Sequence, residues 1–385
     1  MAHKALEVQV FSAASNFLSL FDVGKMLIGN QSENKVERAI SEIRRGLPIV
    51  IYDESNYLLF AAAEALERDS FDRYKLISDN LCVTLTSSKV QYTFQNEEDG
   101  SKRLPVNSFD ELLYLVNCST EDSTKELQRS KMIDKCATTL LKFSELLPYA
   151  LVIDMTFKDK NEMQGWCEKN DVITLDTSFI NDFQRNQSLY EVCKTSLFLK
   201  QTQEVNIISY RTKSGGREHY AIIIGNPNED GDPLVRIHSS CYTGDLLDSL
   251  SCDCRSQLHQ AIQIMADSSG GIILYLMQDG RGIGLTNKLR AYDMQRKYNL
   301  DTVDANRILG FEGDERNFAV AAEMLKKLGI KKVQLLTNNG RKLSELKNSG
   351  IEVTRCLPLI MERNQYNGSY METKFGKLGH KLRIF

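Results

Sequence analysis

Gly271-Ile272-Ile273-Leu274-Tyr275 is a run of apolar and β-branched residues, and Gln278-Asp279-Gly280-Arg281-Gly282-Ile283-Gly284 follows it closely. A short apolar run bounded by a glycine cluster predicts a buried strand. A helical pattern from Lys288 to Tyr298 comes next. Strand, glycine-rich turn and helix in that order mark an α/β unit, and such a turn can aim backbone N–H groups at phosphate. Alone, the turn is a weak signal, since glycine serves any tight surface bend. Arg281 within it and Asn287-Lys288-Leu289-Arg290 after it favour a polyphosphate cradle, to which Arg236, Arg290, Arg341 and Lys342 could add charge.

The same alternation extends outward. Upstream lie strands Val205 to Tyr210, Tyr220 to Ile224 and Val235-Arg236-Ile237-His238, then a helix from Ser256 to about Ala266. Downstream come a helix from Phe318 to Leu328 and the strand Val333-Gln334-Leu335-Leu336-Thr337. Near the start, a helix through Ala39, Ile40, Ile43 and Arg44 turns at Gly46-Leu47-Pro48 into the strand Ile49 to Tyr52. A second helix runs from Met132 through Leu146, Pro148 breaks it, and Ala150 to Ile153 is a strand; Val172 to Leu175 is another. The fold class is therefore α/β (mixed α+β), with two domains, each a mixed sheet flanked by helices. The expected division is a leader over 1–34, a first domain over 35–204 and a second over 205–385. The polar tail after Met361 is expected to order only against substrate or a neighbour.

A length of 385 residues exceeds one ordinary core and agrees with two domains. Hydrophobic residues at 42% and charged residues at 26% place the chain among soluble globular proteins. The net charge of -3 supplies no global field toward nucleic acid or an anionic membrane, so neither is expected as a partner. A polyanionic substrate must be met by locally placed Arg and Lys. Met1-Ala2-His3-Lys4-Ala5 runs into Glu7 with no long apolar stretch behind it, so no signal peptide or membrane span is expected. Reduced thiols and a cytoplasmic location follow as expectations.

Nine cysteines are unevenly placed. Cys82, Cys118, Cys136, Cys167, Cys193 and Cys356 are scattered and read as small buried hydrophobes. Cys241, Cys252 and Cys254 crowd together. Three thiolates without a fourth close protein ligand would leave one zinc position for water, as catalytic sites require. That water's pKa would fall toward about 7. The alternatives are a structural site completed by His238 or His259, or three thiols without metal. Two further clusters lie downstream. Gly310-Phe311-Glu312-Gly313-Asp314-Glu315-Arg316-Asn317-Phe318 places acid and guanidinium two residues apart, which a capping ion pair would also explain. Leu335-Leu336-Thr337-Asn338-Asn339 ends a strand in polar side chains, where α/β proteins place ligands.

Taken together, the segments H-S-S-C-Y-T-G-D (238–245), S-L-S-C-D-C (249–254), Q-D-G-R-G-I-G-L-x-N-K-L-R-A-Y (278–292), D-T-V-D-A-N (301–306), L-G-F-x-x-D-E-R-x-F (309–318) and L-L-T-N-N (335–339) resemble GTP cyclohydrolase II. The resemblance covers roughly residues 205–382, including Arg363-Asn364 and Lys377-Leu378-Gly379-His380. It implies one Zn²⁺ on Cys241, Cys252 and Cys254. It implies GTP contacts from Arg236, Ile237, His238, Ser239, Ser240, Gln257, Asp279, Gly280, Arg281, Thr302, Thr337 and Lys342. Asp314 matches the family's proposed proton acceptor, and Arg316 its proposed nucleophile toward the α-phosphate. A guanidinium stays protonated far above neutral pH, so stabilising the phosphoryl transition state is the defensible role for Arg316. Tyr292 matches a tyrosine near the formyl-releasing chemistry, where a phenol can donate a hydrogen bond or proton.

The implied reaction releases pyrophosphate, with Mg²⁺ on the β and γ oxygens. Zinc-bound hydroxide then attacks C8 of the purine, and a second hydrolysis frees formate. The product is the diaminopyrimidinone ribosyl phosphate that begins riboflavin synthesis, and the resemblance also implies a homodimer. Two positions depart from the family's usual pattern: Ser240 and Asp279 stand where glutamates are common. Losing a carboxylate at Ser240 is expected to weaken guanine or zinc contacts by roughly 10–100-fold. A non-catalytic GTP-binding scaffold is the rival that this change opens. A partial enzyme that keeps the formyl group is opposed by Tyr292.

Residues 36–205 are similar to 3,4-dihydroxy-2-butanone-4-phosphate synthase, the domain that precedes this one in bifunctional relatives. Glu37 to Gly46 with its following strand, Pro148 to Val152 and Thr174 to Thr177 carry that similarity, with a loose match at Asn80 to Val83. The family's long acidic Mg²⁺ loop is missing: Asp53-Glu54-Ser55-Asn56 passes straight into Tyr57-Leu58-Leu59-Phe60. Its Gly-His-Thr segment reads Lys131-Met132-Ile133-Asp134-Lys135, and its Thr-Thr-Gly phosphate loop does not occur. Asp53, Glu54 and Glu64 read as solvated surface acids. A degenerate domain without synthase activity, kept as a scaffold for dimerisation or for the cyclohydrolase, is expected; a bifunctional riboflavin enzyme is the alternative.

Overall fold

The computed structural model describes residues 31–94, 100–117, 126–185, 188–213, 215–229 and 231–361. The expected leader up to residue 30, Cys118, and the tail bearing Arg363-Asn364 and Lys377 to His380 lie outside the described residues.

The first half builds α1 (Gln31–Arg44), β1 (Ile49–Tyr52), β2 (Tyr57–Ala62), α2 (Arg68–Ile77), β3 (Cys82–Leu85), α3 (Ser87–Phe94), β4 (Lys102–Pro105), α4 (Phe109–Asn117) and β5 (Gln128–Arg129). It continues through α5 (Met132–Phe143), β6 (Ala150–Met155), α6 (Lys160–Lys169), β7 (Ile173–Asp176) and α7 (Thr177–Arg185). Helix α1 begins at Gln31 and so includes the last residues of the leader expected over 1–34. The strands form one mixed sheet in the order β5-β4-β3-β6-β2-β1-β7. Alternation along β2 sends Leu58 and Phe60 to one apolar layer and Leu59 and Ala61 to the other, so both faces of the sheet are covered. The turn between β1 and β2 is closed by Asp53, whose carboxylate accepts from Ser55 N at 2.9 Å and Asn56 N at 2.8 Å.

The second half builds β8 (Leu189–Leu199), β9 (Thr202–Thr212), β10 (Glu218–Gly225), β11 (Leu234–Ser239), α8 (Cys254–Ala266), β12 (Gly270–Leu276), α9 (Leu285–Tyr298), α10 (Thr302–Ile308), α11 (Ala319–Lys327), β13 (Lys332–Leu336), α12 (Gly340–Asn348) and β14 (Glu352–Leu357). Its sheet runs β14-β13-β11-β12-β10-β9-β8. Strand β8 lies upstream of residue 205, the boundary expected from sequence, yet it pairs antiparallel with β9 in this second sheet. Cys193 on β8 is exposed, which corrects its reading as a core thiol. An outer strand has one free edge and here both faces face solvent, so a cysteine in it is not covered. Neighbours β14, β13, β11 and β12 are all parallel. Their C-terminal ends therefore share one edge of the sheet, which gathers the segments after β11, β12 and β13.

The two halves share a core. Ile283, Ala291, Met294, Ala305, Leu309 and Phe311 from the second half belong to the same apolar cluster as Val50, Leu59, Leu85 and Leu151 of the first sheet. Helices α9 and α10 thus pack on the first half.

Candidate functional site

Cys241 leaves the end of β11, while Cys252 and Cys254 stand at the N-terminus of α8. Their sulfurs all lie within 4.8 Å of one another, and Cys241 Sγ is 3.7 Å from Cys252 Sγ. Zinc–sulfur bonds of about 2.3 Å in a tetrahedron require sulfurs about 3.8 Å apart, so the trio fits a zinc ion. Among the described residues, this trio is the one group of three or more such side chains with metal-ligating spacing. Neither histidine considered as a fourth ligand joins it. His238 Nε2 faces Asp245 Oδ1 at 3.3 Å, and His259 Nδ1 faces Gln201 Nε2 at 2.5 Å.

The chain around Cys241 is shaped to hold thiolate. Gly244 sits in the middle of the trio; a Cβ there would come within 2.9 Å of Cys252 Sγ and 3.1 Å of Cys241 Sγ. Gly244 N donates to Cys241 Sγ at 3.4 Å, and Lys288 Nζ donates to it at 3.0 Å. Hydrogen bonds from the Cys252 and Cys254 thiols, with the lysine charge, hold Cys241 far below the usual thiol range. Lys288 also donates to Asp279 Oδ1 at 2.9 Å, and Asp279 Oδ2 accepts from Tyr242 N at 2.8 Å. Lys288, grouped by sequence with the phosphate cradle, is therefore turned toward sulfur. Burial is the reason: a nearly enclosed ammonium requires anionic partners, and these two are adjacent.

Asp245, four residues after Cys241, is a second support that sequence reasoning passed over. Its carboxylate accepts from Cys241 N at 3.0 Å and Tyr275 hydroxyl at 2.8 Å, and it faces His238. Its place in the same motif as the first cysteine was the available signal.

After β12 the backbone enters left-handed conformation at Gly280 (φ 63), Arg281 (φ 61), Gly282 (φ 94) and Gly284 (φ 86). Arg281 does so with a full side chain, which costs about 1–3 kcal/mol and is a strain concentrated at functional sites. A cavity opens beside this turn. Its walls bring together Cys241, Cys252, Cys254, Ser239, Ser240, Asp279, Gly280, Arg281, Tyr292, Thr302 and Arg316. Arg236, Ile237, His238, Gln257, Asp314, Thr337 and Lys342 are not part of its wall. They sit behind it in a bonded layer: Arg236 donates to Gln257 Oε1 at 2.5 Å and to Leu336 O at 3.0 Å, and Lys342 Nζ to Ile237 O at 2.8 Å. Thr337 Oγ1 accepts from Asn339 N at 3.1 Å. Burial lowers the Arg236 guanidinium to about 10, still charged at neutral pH.

Arg316 forks onto Asp314, with Nε at 2.8 Å from Oδ1 and an Nη at 2.6 Å from Oδ2; Arg341 adds a contact at 3.3 Å. Burial alone would raise Asp314, but the two guanidiniums outweigh it and hold the carboxyl at about 2. Burial pushes the Tyr292 phenol up to about 12, so it stays protonated and can donate. Two charges assigned by sequence belong elsewhere. Arg290, a candidate phosphate contact, pairs with Glu64 across the junction of the halves. Glu64, read as a surface acid, also accepts from Leu147 N at 2.9 Å and is nearly enclosed. Docking of α9 on the first half encloses Glu64 and leaves Arg290 half-buried. Gln295 and Asn306, which sequence reasoning did not single out, line the cavity as well.

Comparison with known proteins is concordant with these motifs. A family model described as GTP cyclohydrolase II matches residues 191–358. A GTP cyclohydrolase-2 of Azospirillum brasilense is 43% identical over 249 residues, 64% of this chain and 64% of that protein. The riboflavin biosynthesis protein RibBA of a Synechocystis species is 46% identical over 187 residues, 48% of this chain and 34% of that protein. The chain thus spans less than two thirds of the length of either. A GTP cyclohydrolase-2 of Xylella fastidiosa is 32% identical over 360 residues, 92% of this chain and 89% of that protein, so that match takes in both halves.

Proposed function

Because the chain belongs to the GTP cyclohydrolase II family, we propose that it hydrolyses GTP to 2,5-diamino-6-(5-phosphoribosylamino)pyrimidin-4-one, formate and pyrophosphate, the first step of riboflavin biosynthesis. The observation that carries this reading is one cavity holding three zinc-spaced thiols, a protonated tyrosine and two guanidiniums. Zinc, when bound by Cys241, Cys252 and Cys254, supplies Lewis acidity and lowers the pKa of a bound water.

The chain's own groups divide the remaining work. Arg281 and Arg316 line the cavity and meet the phosphates, whose remaining charge Mg²⁺ would offset. Asp314 is ionised but a weak base while Arg316 holds it. Drawing Arg316 onto the α-phosphate removes that counter-charge and raises the carboxyl toward a useful proton acceptor. Tyr292 donates from its phenol as the formyl group leaves. Asp279 keeps the charge common at its position and holds Lys288 and the Tyr242 backbone. Ser240, with no carboxylate, lowers the rate without ending turnover.

The first half serves as a scaffold without synthase activity. Arg103 supports this reading: it forks onto buried Asp134 at 2.7 Å and reaches Asp154 at 2.7 Å, while Lys131 takes Asp154 at 3.0 Å. Those acids are neutralised by the chain's own cations. Its grip on the second half supports the scaffold role. Lys142 Nζ lies 2.5 Å from Glu315 Oε1, Glu145 pairs with Arg217, and Glu145 O accepts from Asn287 Nδ2 at 2.8 Å. The family reading also carries a homodimer, which sedimentation tests, and a cytoplasmic location. No helix among the described residues is long and apolar enough to cross a membrane.

Incubating zinc-loaded protein with GTP and Mg²⁺, then measuring formate, pyrophosphate and product mass, tests the proposal. Nucleotide binding without formate would replace it with the scaffold rival. Formation of 3,4-dihydroxy-2-butanone 4-phosphate from ribulose 5-phosphate would overturn the reading of the first half.

A further inference from the structure

Two amide side chains in the cavity carry donors that the folded chain does not use, and the Ser239 hydroxyl is a third such group. Gln295 Nε2 and Asn306 Nδ2 are buried with no hydrogen-bond partner, and both residues line the same cavity as the cysteine trio and Tyr292. Asn306 is 1% exposed. Helix geometry explains their placement. Lys288, Tyr292 and Gln295 stand at i, i+4 and i+7 on α9, and Thr302 and Asn306 at i and i+4 on α10, so each set shares one face. The two helices pack on each other, and Ile283 and Ala291 supply apolar wall between these polar tips. A buried amide N–H without an acceptor is costly, and folded proteins rarely keep one. Two in one cavity call for a ligand that brings acceptors.

We propose that Gln295 and Asn306 read the base of the nucleotide by donating to the 6-oxo and N7 acceptors of a 6-oxopurine, and so exclude 6-aminopurines. The inference rests on the ring-opening reading of this site and deepens it. On that edge guanine presents two acceptors, O6 and N7, whereas adenine presents N7 and a 6-amino donor. Two fixed donors satisfy the first pattern and leave one donor facing another in the second. N7 is bonded to C8, the carbon hydrolysed in the proposed reaction. A donor on N7 draws electron density from that carbon, so its loss reaches kcat as well as KM.

The test uses the full-length protein loaded with zinc. Steady-state turnover of GTP and ITP, and binding of ATP, are measured for the unaltered chain and for Asn306→Leu and Gln295→Leu. Zinc content and Tm are recorded beside them. The unaltered chain is expected to take GTP and ITP, which share both acceptors, and to bind ATP at least ~100-fold more weakly. Each variant is expected to lose about 10–100-fold in kcat/KM for GTP and ITP alike. The variant of the residue that meets O6 keeps its ATP binding, so the preference contracts, whereas the variant of the residue that meets N7, an acceptor that ATP shares, weakens ATP as well. If both variants keep their zinc, their Tm and the full preference for GTP over ATP, or either keeps its full kcat/KM for GTP, the proposal is overturned. If leucine lowers the zinc content or the Tm, 7-deaza-GTP binding to the unaltered chain decides instead. Binding at least 10-fold weaker than GTP supports a donor on N7, and equal binding overturns it. Preference for 6-oxopurines without any formate release would sink the ring-opening reading and leave base recognition standing; turnover of GTP and ATP alike would do the reverse.

Discussion

Replacing Lys142 by alanine removes the ion pair between the first half and the loop that carries Asp314 and Arg316, a loop that Ser88 and Thr86 also touch through Glu312 and Gly310. Its Nζ lies 2.5 Å from Glu315 Oε1, and each side chain is 21% exposed. Glu315 sits between the two catalytic candidates and is tied in place twice more. Its N donates to Arg281 O at 2.9 Å, and its Oε1 accepts from Glu312 N at 2.8 Å. A charged hydrogen bond contributes about 1.5–3 kcal/mol, and the residual exposure of both partners reduces this to about 1–2 kcal/mol. At 1.4 kcal/mol per factor of ten, kcat/KM for GTP should fall roughly 5–30-fold. The assay is formate release under steady state for the unaltered chain, Lys142→Ala, Glu315→Gln and the double variant. The double variant should be no worse than the poorer single, because both singles break one pair. Lys142→Arg should restore most of the loss, chiefly in kcat, since the substrate-facing groups are untouched. Unchanged kcat/KM in Lys142→Ala, with an unchanged Tm, would refute the idea that this ion pair holds the loop for catalysis.

Three further outcomes are expected. Cys252→Ser should reduce bound zinc well below one per chain by mass spectrometry and abolish formate release, because a hydroxyl is a poor substitute for thiolate; full zinc occupancy would count against the trio as the metal site. Gly244→Ala inserts a methyl 2.9 Å from Cys252 Sγ and should destabilise the fold by about 1–3 kcal/mol, read by denaturant titration with zinc content followed in parallel. His219 is buried, and that burial, with Arg217 nearby, lowers its pKa from 6.5 to about 4. The unfolded chain therefore binds its proton first, so stability is fully present above pH 6.5 and is lost as pH falls toward 4, by about 3 kcal/mol in total. In His219→Gln the fall in Tm across that window should flatten; an identical slope would show that other groups govern acid unfolding.

Much of the site was legible because its chemistry is local in sequence. Cys241, Cys252 and Cys254 lie within one short stretch, and the glycines of 280–284 announce a turn that needs left-handed backbone. Strands β1, β6, β11, β12 and β13 were readable as apolar runs, since burial on both faces leaves little room for polar residues. Outer strands β8 and β14 were not, because their mostly exposed faces carry mixed residues. Helix α10 is too short for its periodicity to stand out.

The sequence by itself determined which residues could bind metal, meet phosphate and donate protons, and which family they belong to. Only the tertiary structure decided how they meet. Parallel placement of β11, β12 and β13 brings three distant segments to one sheet edge. Docking of α9 and α10 on the first sheet turns Lys288 to sulfur, gives Arg290 to Glu64, and leaves the Gln295 and Asn306 amides facing the cavity. A residue's partner across a fold is set by strand order and packing, which depend on the whole chain, whereas its chemistry is written at its own position.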